Sequence, residues 1–410
     1  MKSSNKNKVN VLILIAFMLI MVGLGISDSS RGVFSTIFEK DLALSKPQVS
    51  MIVTISYIGN LLFVLAGGRA ADRFDRKKVF LTVLCIWTAA QIMFAATDNY
   101  VCLLIGMFFS MGASTLLNTL MNLLSPLLFG TMAGMFVNIL FFVQGIGTSG
   151  NQKITGSLAT EYTDFRFLCL GLAAIGLIGF LLLATRKFPK DAATNEKEIS
   201  DNANDRSGAL KEVTGNVNAI SQETEKATVS YKMVIIMSFI FGFYFIAEHG
   251  IMNWWSMYCQ QGLNMSSSQA STCISLFFGT MTIGRVVLSP LVQKLGSRKS
   301  IILFGGIGSI LYIIGILLGI KGSLILGFSG IFISIIYPTC VLFLQEIFPK
   351  NCVATATGMV LSFGTVFDIA FNAVFGNLVE MTGFGICSVI FPVAMVLFYG
   401  GFLLLKRSRA

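Results

Sequence analysis

The 410-residue chain is 54% hydrophobic and only 12% charged, and its mean hydropathy is +0.77. These values exclude a soluble globular domain and predict an integral membrane protein in contact with the lipid bilayer. The net charge of +10 does not indicate nucleic-acid binding, because most Lys and Arg residues lie in short loops beside apolar segments. The eight cysteines lie mostly inside apolar runs without a CxxC pair, so we expect neither disulfides nor a metal site. We expect no cofactor.

Twelve apolar runs of about 20 residues predict membrane-spanning helices. In chain order they are 11–34, 49–70, 79–96, 101–124, 131–156, 167–185, 233–258, 268–291, 301–320, 323–344, 354–378 and 386–405. The first run is similar to a signal peptide, yet no A-x-A-type cleavage site follows it, so we interpret it as a retained span. The predicted fold class is an all-α integral membrane protein with two pseudo-symmetric six-helix bundles.

A polar stretch rich in Lys, Glu, Asn and Ser separates the sixth and seventh runs. It predicts an N-terminal bundle at 1–185, a solvated cytoplasmic linker at 186–232 and a C-terminal bundle at 233–410. With both termini in the cytoplasm, the outside loops hold only the basic residues Lys40, Lys46, Arg166 and Lys321. This asymmetry predicts a multi-pass protein of the plasma (inner) membrane with that orientation. We expect a monomer.

The segment from Gly68 to Lys78 reads Gly-Arg-Ala-Ala-Asp-Arg-Phe-Asp-Arg-Lys-Lys and lies between the second and third spans. It resembles the cytoplasmic loop signature of the major facilitator superfamily, G-x-x-x-D-R-x-G-R-R/K-K, with Asp75 where glycine is usual. The resemblance implies an internally duplicated secondary transporter whose site lies between its two halves.

The resemblance also implies a role for this loop as a cytoplasmic gate. The alternative is a loop that only orients the chain. The predicted gating residues of the loop are Gly68, Asp72, Arg73 and Arg76. The corresponding loop of the second half, 291–299, has Gln293 in the acidic position, so we expect the first half to carry most of the gate.

Further motifs resemble the fucose, galactose and glucose proton-symporter family. Span seven carries a Tyr, Trp and Tyr pattern that ends at Tyr258, span eight carries Gly-Thr-Met and Gly-Arg, and span ten carries Ser-Ile-Ile-Tyr-Pro-Thr. The resemblance implies a sugar or a related small polar solute. That family has an acid on span one and another on span four. Asp28 matches the first, but span four offers only Asn118 or Ser114, which leaves proton coupling open.

Sugars are bound by amides and carboxylates that hydrogen-bond hydroxyls and by aromatic faces that cover the ring. The predicted residues for substrate binding or proton coupling are Asp28, Asn118, Asn122, Asn138, Gln144, Glu248, Trp254, Tyr258 and Asn372. An alternative places Trp254 and Trp255 in an interfacial aromatic belt. In another, the Asn and Gln residues only join helices to one another.

Ionisable groups inside apolar spans need a partner or a cavity. Asp28 and Arg31 are three residues apart, so Asp28 is either a proton or substrate acceptor or one member of a structural pair. Asp368 could pair with Arg285 or Lys153, and we interpret these three residues first as structural or gating groups. His249, the single histidine, is as compatible with a backbone hydrogen bond as with a functional role.

The leading hypothesis is a secondary transporter of a small polar solute that works by alternating access. A multidrug or organic-anion antiporter is the alternative, although Gly150 is followed by Asn151 where such antiporters place proline. A non-transporting sensor on the same scaffold is a third possibility. The loops lack a Gly-x-x-x-x-Gly-Lys-Ser/Thr motif, which argues against ATP as the driving force. Nothing in the chain suggests covalent chemistry, so we do not expect an enzyme.

Overall fold

The structure is a computed structural model that describes residues 11–129, 132–186, 188, 230–349 and 352–405. Within these ranges it contains twelve helices long and apolar enough to cross a membrane. They are α1 (Val11–Val33), α2 (Lys46–Arg73), α3 (Arg76–Ala96), α4 (Tyr100–Phe129), α5 (Ala133–Leu158), α6 (Tyr162–Ala184), α7 (Tyr231–Gly262), α8 (Ser267–Leu295), α9 (Ser297–Leu317), α10 (Gly319–Ile347), α11 (Val353–Thr382) and α12 (Phe384–Leu404). The predicted linker at 186–232 lies almost wholly outside the described residues.

Local sequence explains where several of the helices begin and end. At the start of α2, Ser45 and Gln48 form a capping box, in which each side chain accepts a hydrogen bond from the other residue's backbone N–H. A similar box starts α8. That helix ends at Gly296, whose φ of +81° is readily adopted only by glycine. These signals extend α2 and α8 by a few residues beyond the predicted apolar runs.

The segment with the loop signature is mostly helical. Helix α2 continues to Arg73 and α3 begins at Arg76, so only Phe74 and Asp75 join them. Asp75 is the N-cap of α3, and its carboxylate accepts a hydrogen bond from the backbone N–H of Lys78 at 2.9 Å. The departure from the usual glycine therefore has a local function, because Asp75 satisfies a free donor at the helix start.

We call the membrane face that holds the α2–α3 turn the basic face, and the other the opposite face. The N-terminal half is α1–α6 and the C-terminal half is α7–α12. The halves meet most closely between α1 and α7, where a Cβ atom on Gly32 would lie only 1.9 Å from the main-chain oxygen of Met252. Glycine is required there because the two backbones touch.

All described hydrogen bonds between the halves lie in the part of the membrane nearer the opposite face. Helices α5 and α8 are joined there through Lys153 and Thr272 at 2.6 Å and through Ser149 and Ser275 at 2.8 Å. Nearest the surface, the Lys46 ammonium contacts Glu39 and Gln261. The halves are therefore closed at the opposite face.

Polar side chains nearer the basic face are exposed in spite of their position within spans. Asn122 on α4, Asn138 on α5 and Arg285 on α8 all belong to this group. Polar groups at this depth require water or a protein partner. These residues are exposed, and no hydrogen bond among the described residues joins the halves on this side, which indicates a cleft between the halves that opens toward the basic face.

Candidate substrate and proton site

A group of partnerless polar atoms lies between α1 and α4. Asp28 on α1 faces Ser114 on α4, and Asn118 follows one helical turn later. Asp28 Oδ1, Ser114 Oγ and Asn118 Oδ1 are all buried without a hydrogen-bond partner. The sequence offered Ser114 or Asn118 at the position of the family's fourth-span acid, and of these two residues Ser114 is the one that faces Asp28. A buried polar atom without a partner destabilises a protein by roughly 1–3 kcal/mol, so a group of them indicates a binding site.

The alternative in which Asp28 and Arg31 form a structural ion pair is not observed among the described salt bridges. The Arg31 guanidinium instead turns toward other helices, where its Nε donates to Asn253 Oδ1 of α7 at 2.7 Å. Its terminal nitrogens donate to Ser56 at 3.2 Å and to the Tyr57 hydroxyl at 3.0 Å, both on α2. These acceptors draw Arg31 away from Asp28, and they make Arg31 a link between the two halves.

Four side chains from three helices form a continuous stack at this link. The Arg31 guanidinium carbon lies 4.6 Å from the ring centroid of Tyr57. The Tyr57 ring also stacks on the His249 imidazole of α7, with 5.1 Å between ring centroids and 22° between ring planes. Phe245 stacks on His249 at 5.3 Å and 11°. The stack, which we call the Arg31–Phe245 stack, therefore crosses from the N-terminal half to the C-terminal half.

His249 is also the partner of Asp368, which corrects the expected pairing of Asp368 with Arg285 or Lys153. His249 Nδ1 and Asp368 Oδ2 are 2.5 Å apart, and only 1% of the Asp368 side chain is exposed. Lys153 donates to Thr272 instead. Many cations in the sequence were possible partners for Asp368, and the packing of α11 against α7 selects His249.

The hydrogen-bonded chain continues from Asp368 through two predicted substrate residues. Asn372 Nδ2 donates to Asp368 Oδ1 at 3.0 Å, and Trp254 Nε1 donates to Asn372 Oδ1 at 2.9 Å. Ser50 of the N-terminal half donates to the main-chain oxygen of Asn372. In this conformation Trp254 and Asn372 are thus occupied by one another rather than open to the cleft.

The interfacial-belt interpretation of the tryptophans is wrong. Trp254 is 0% exposed and Trp255 is 1% exposed, and Tyr258 stacks against Trp255 at 4.7 Å. Helix α7 contacts α1, α8, α11 and α12 rather than lipid along this stretch, which buries its aromatic residues. An apolar run in sequence does not distinguish a lipid-facing helix from a central one.

Glu248 lies beside His249 and is half-buried among tyrosines. Its carboxylate lies beside the Tyr244 hydroxyl and within electrostatic range of Tyr57, Tyr312 and Tyr337. Arg285 of α8 lies within electrostatic range of the Tyr244 and Tyr337 hydroxyls. Among the described residues it forms no ion pair with Asp368.

The other predicted residues do not lie together at one site. Gln144 lies on α5 where the backbone touches α1, since a Cβ atom on Gly25 would be 2.2 Å from its main-chain oxygen. At the basic face, Arg73 is exposed and Arg76 begins α3. Gly68 and Asp72 belong to α2, but the surroundings of these two residues lie outside what the structure describes. The gating role of this segment stays a prediction.

A sequence profile described as the Major Facilitator Superfamily matches residues 13–372, which is most of the chain. The chain belongs to the major facilitator superfamily. Among curated relatives, the arabinose-proton symporter of Bacillus subtilis is 23% identical over 88% of this chain and 83% of its own length. The hexuronate transporter of the same organism is 22% identical over 87% and 84%. A solved structure of a D-xylose-proton symporter matches with a TM-score of 0.74 at 15% identity, covering 97% of this chain and 98% of the other.

The family and the structural match confirm the predicted fold class of two six-helix bundles, and the family confirms the predicted membrane transporter. The transporter is therefore not an enzyme. Sequence reasoning missed three residues that the structure brings into the site, namely Tyr57, Asn253 and Ser56. Each is a polar side chain inside an apolar run, but nothing local shows that all three meet Arg31.

The structure also identifies Asn151 as a helix-joining residue. Its Nδ2 donates to the main-chain oxygen of Ile26 at 3.1 Å and to Ser29 Oγ at 2.8 Å, both on α1. At the basic face, Lys77 has a comparable function and donates to the main-chain oxygens of Ala184 and Arg186 at 2.9 and 2.5 Å. A cation at these free carbonyls stabilises the end of α6.

Proposed function

We propose that this transporter carries a monosaccharide or a similar polyhydroxylated solute together with a proton, by alternating access of its two halves. In this proposal residues 1–185 and 233–410 move as two bundles joined by the linker at 186–232. The basic face is the cytoplasmic one, because cations are retained on that side during insertion. Both termini then lie in the cytoplasm, and the protein acts as a monomer in the plasma (inner) membrane.

The observation that carries the proposal is the group of partnerless polar atoms on α1 and α4. A carboxyl, a hydroxyl and an amide oxygen at Asp28, Ser114 and Asn118 are buried without partners. A proton on Asp28 and the hydroxyl groups of a solute are donors that the Asp28 and Asn118 oxygens lack, and the Ser114 hydroxyl can both donate to and accept from such groups. An ionised carboxylate at this depth is costly, which favours protonation when the cleft closes.

Several of the other predicted residues take part in this proposal. Asn122 and Asn138 are exposed on the basic side of the cleft, where a solute leaves toward the cytoplasm. Trp254 and Asn372 contact the solute when the opposite face opens, because opening separates Asn372 from Ser50 of the other half. The segment with Gly68, Asp72, Arg73 and Arg76 closes the basic face in the alternate state.

Relatives support the same solute class. One curated relative is named an arabinose-proton symporter, and a structural neighbour is a D-xylose-proton symporter. Both names combine a pentose with a proton. The solute proposed here shares their chemistry, in which several hydroxyl groups surround a ring with an apolar face.

The test is uptake into proteoliposomes of radiolabelled L-arabinose, D-xylose and D-glucose with an inwardly directed proton gradient. We expect accumulation of at least one sugar above equilibrium. Asp28→Asn should reduce this accumulation at least about tenfold, which corresponds to about 1.4 kcal/mol of lost coupling. The matched control is Asp98→Asn, a carboxylate with 72% of its side chain exposed, which should behave as wild type. Sugar accumulation that survives Asp28→Asn would exclude Asp28 from the coupling.

An organic anion is a second candidate solute. Arg285 is an exposed cation within α8, and the Bacillus subtilis hexuronate transporter is named for an anionic sugar derivative. A cation in a solute pathway pairs with carboxylates. Uptake of D-glucuronate that Arg285→Gln abolishes, in liposomes that take up none of the neutral sugars, would favour this candidate over the first.

A further inference from the structure

We infer that His249 and Asp368 bind a proton of their own and that this proton locks the two halves together at the opposite face. The place of this lock in transport rests on the proposed proton coupling. The protonation and the locking themselves do not depend on which solute is carried.

The lock is built from contacts that join the two halves in this conformation, which is closed at the opposite face. Tyr57 belongs to the N-terminal half and His249 to the C-terminal half, and their rings stack at 5.1 Å. Asn253 joins the same interface from α7, since it accepts from Arg31 at 2.7 Å and donates to the Tyr57 hydroxyl at 3.0 Å. Opening of the opposite face must break the stack between Tyr57 and His249, because these rings move with different halves.

Protonation of His249 strengthens this interface. An imidazolium between the faces of Tyr57 and Phe245 gains a cation–π attraction that a neutral ring lacks. It also supplies the positive charge that Asp368 needs, since this carboxylate is almost fully buried and, among the described residues, its other side-chain hydrogen bond comes from the amide of Asn372. The stacked ring and the buried counter-ion therefore both favour the charged form of His249 when the halves are closed.

The other charged and titratable groups near His249 do not provide Asp368 with a counter-charge. Glu248 lies on the same helix, Arg31 acts from α1 through Tyr57, and Asp368 is the acid of α11. The negative charge of Glu248 offsets the positive charge of Arg31. One negative charge, that of the Asp368 carboxylate, then remains beside His249. A proton on His249 neutralises that charge.

The proton has an accessible route at one end of the pair. The His249 side chain is 24% exposed whereas Asp368 is 1% exposed, so water reaches the imidazole but not the carboxylate. His249 takes its proton from water when the opposite face is open. It returns the proton to the water of the cleft when the basic face is open, and the bond to Asp368 holds the ring in place meanwhile. Loss of the proton weakens the stack and allows the opposite face to reopen.

Asp28 cannot provide this lock. Its described interactions are with Ser114 and Arg31, both of the N-terminal half. A proton on Asp28 acts on the interface only through the field at Arg31, whereas the His249 ring itself contacts Tyr57 across the interface. The dyad of His249 and Asp368 links protonation to conformation, and linkage requires the closed state to bind the proton more tightly than the open state.

The chain contains one histidine, which makes a direct test possible. Protein labelled with [15N]histidine, purified through a tag without histidine and held in lipid nanodiscs, yields a single imidazole signal. The state of the opposite face is followed in parallel by the distance between fluorophores attached through unnatural amino acids at Lys40 and Met381, both exposed on different halves. We expect His249 to change charge within the pH range over which the protein stays folded, and the distance to change over the same interval.

Variants separate the lock from a merely structural role. Asp368→Asn should displace the titration of His249 and the pH dependence of the distance together, by at least about one pH unit, which is tenfold in proton affinity. Glu380→Gln is the matched control, since this acid is exposed on the same helix and should displace neither. Tyr57→Leu should leave His249 titrating while the distance no longer follows pH, whereas Tyr57→Phe, which keeps the ring, should retain the coupling.

The wild-type measurement alone can overturn the inference. A His249 signal that does not change charge in this pH range refutes it, as does a distance that ignores pH while His249 titrates. If wild-type protein accumulates none of the tested sugars in a proton gradient, the proposed function fails. The titration and the distance decide the lock independently of that result.

Discussion

Replacement of Gly32 by alanine tests the closed contact between α1 and α7. A methyl group at this position would lie 1.9 Å from the main-chain oxygen of Met252, whereas real Cβ atoms essentially never approach closer than 3.0 Å. The helices must therefore separate by about 1 Å or more, because neither backbone can rotate away as a side chain would. Overpacking of this kind costs typically about 1–3 kcal/mol.

The cost of Gly32→Ala applies only to the state that is closed at the opposite face. It should shift the balance between the two facing states by roughly 5- to 150-fold toward the open one. The fluorophore distance between Lys40 and Met381 should lengthen, and gradient-driven uptake should fall because the cycle needs both states. Gly171→Ala is the matched control. It makes the same chemical change within α6, where the added Cβ atom would have no atom of another helix within 4 Å. Equal distances and uptake rates in the two variants would refute the reasoning.

Two further predictions concern the basic face. Asp75→Ala removes the acceptor for the Lys78 backbone N–H. It should lower the free energy of unfolding of the detergent-solubilised protein by about 1 kcal/mol, whereas Asp75→Ser should retain most of that stability. A melting curve unchanged by Asp75→Ala would show that this cap contributes nothing. Asp72→Asn should impair uptake far more than Gln293→Ala, because the first-half segment retains the acid that the second half lacks; equal rates in the two variants would contradict a gate carried mainly by the first half.

The individual spans could be predicted because hydropathy is a local property. A run of apolar residues must form its own backbone hydrogen bonds in a bilayer, so its length alone indicates a helix. The same reasoning identified Asp28 and Glu248, since a carboxylate in such a run is unusual wherever the helix lies. The ends of the helices were less exact, because capping residues such as Ser45 and Asp75 extend them beyond the apolar run.

The partners of these groups could not be predicted in the same way. Helical spacing placed Asp28 beside Arg31, yet Arg31 donates to other helices, including to Asn253, 222 residues away. Asp368 had several plausible cations, and the one it contacts is His249, 119 residues away on α7. Helical periodicity describes neighbours on one helix, whereas these pairs depend on which helices touch and at what height.

The sequence by itself determined that this chain is a twelve-span transporter of the major facilitator type and that it carries acids within its spans. Those properties follow from hydropathy, charge and a local motif. Only the tertiary structure decided that Ser114 faces Asp28, that the tryptophans of α7 are buried, and that His249 joins Asp368 to a stack across both halves. These contacts depend on the packing of helices far apart in sequence, because the energy of an interaction in a membrane depends on the distance between groups and on the water that reaches them.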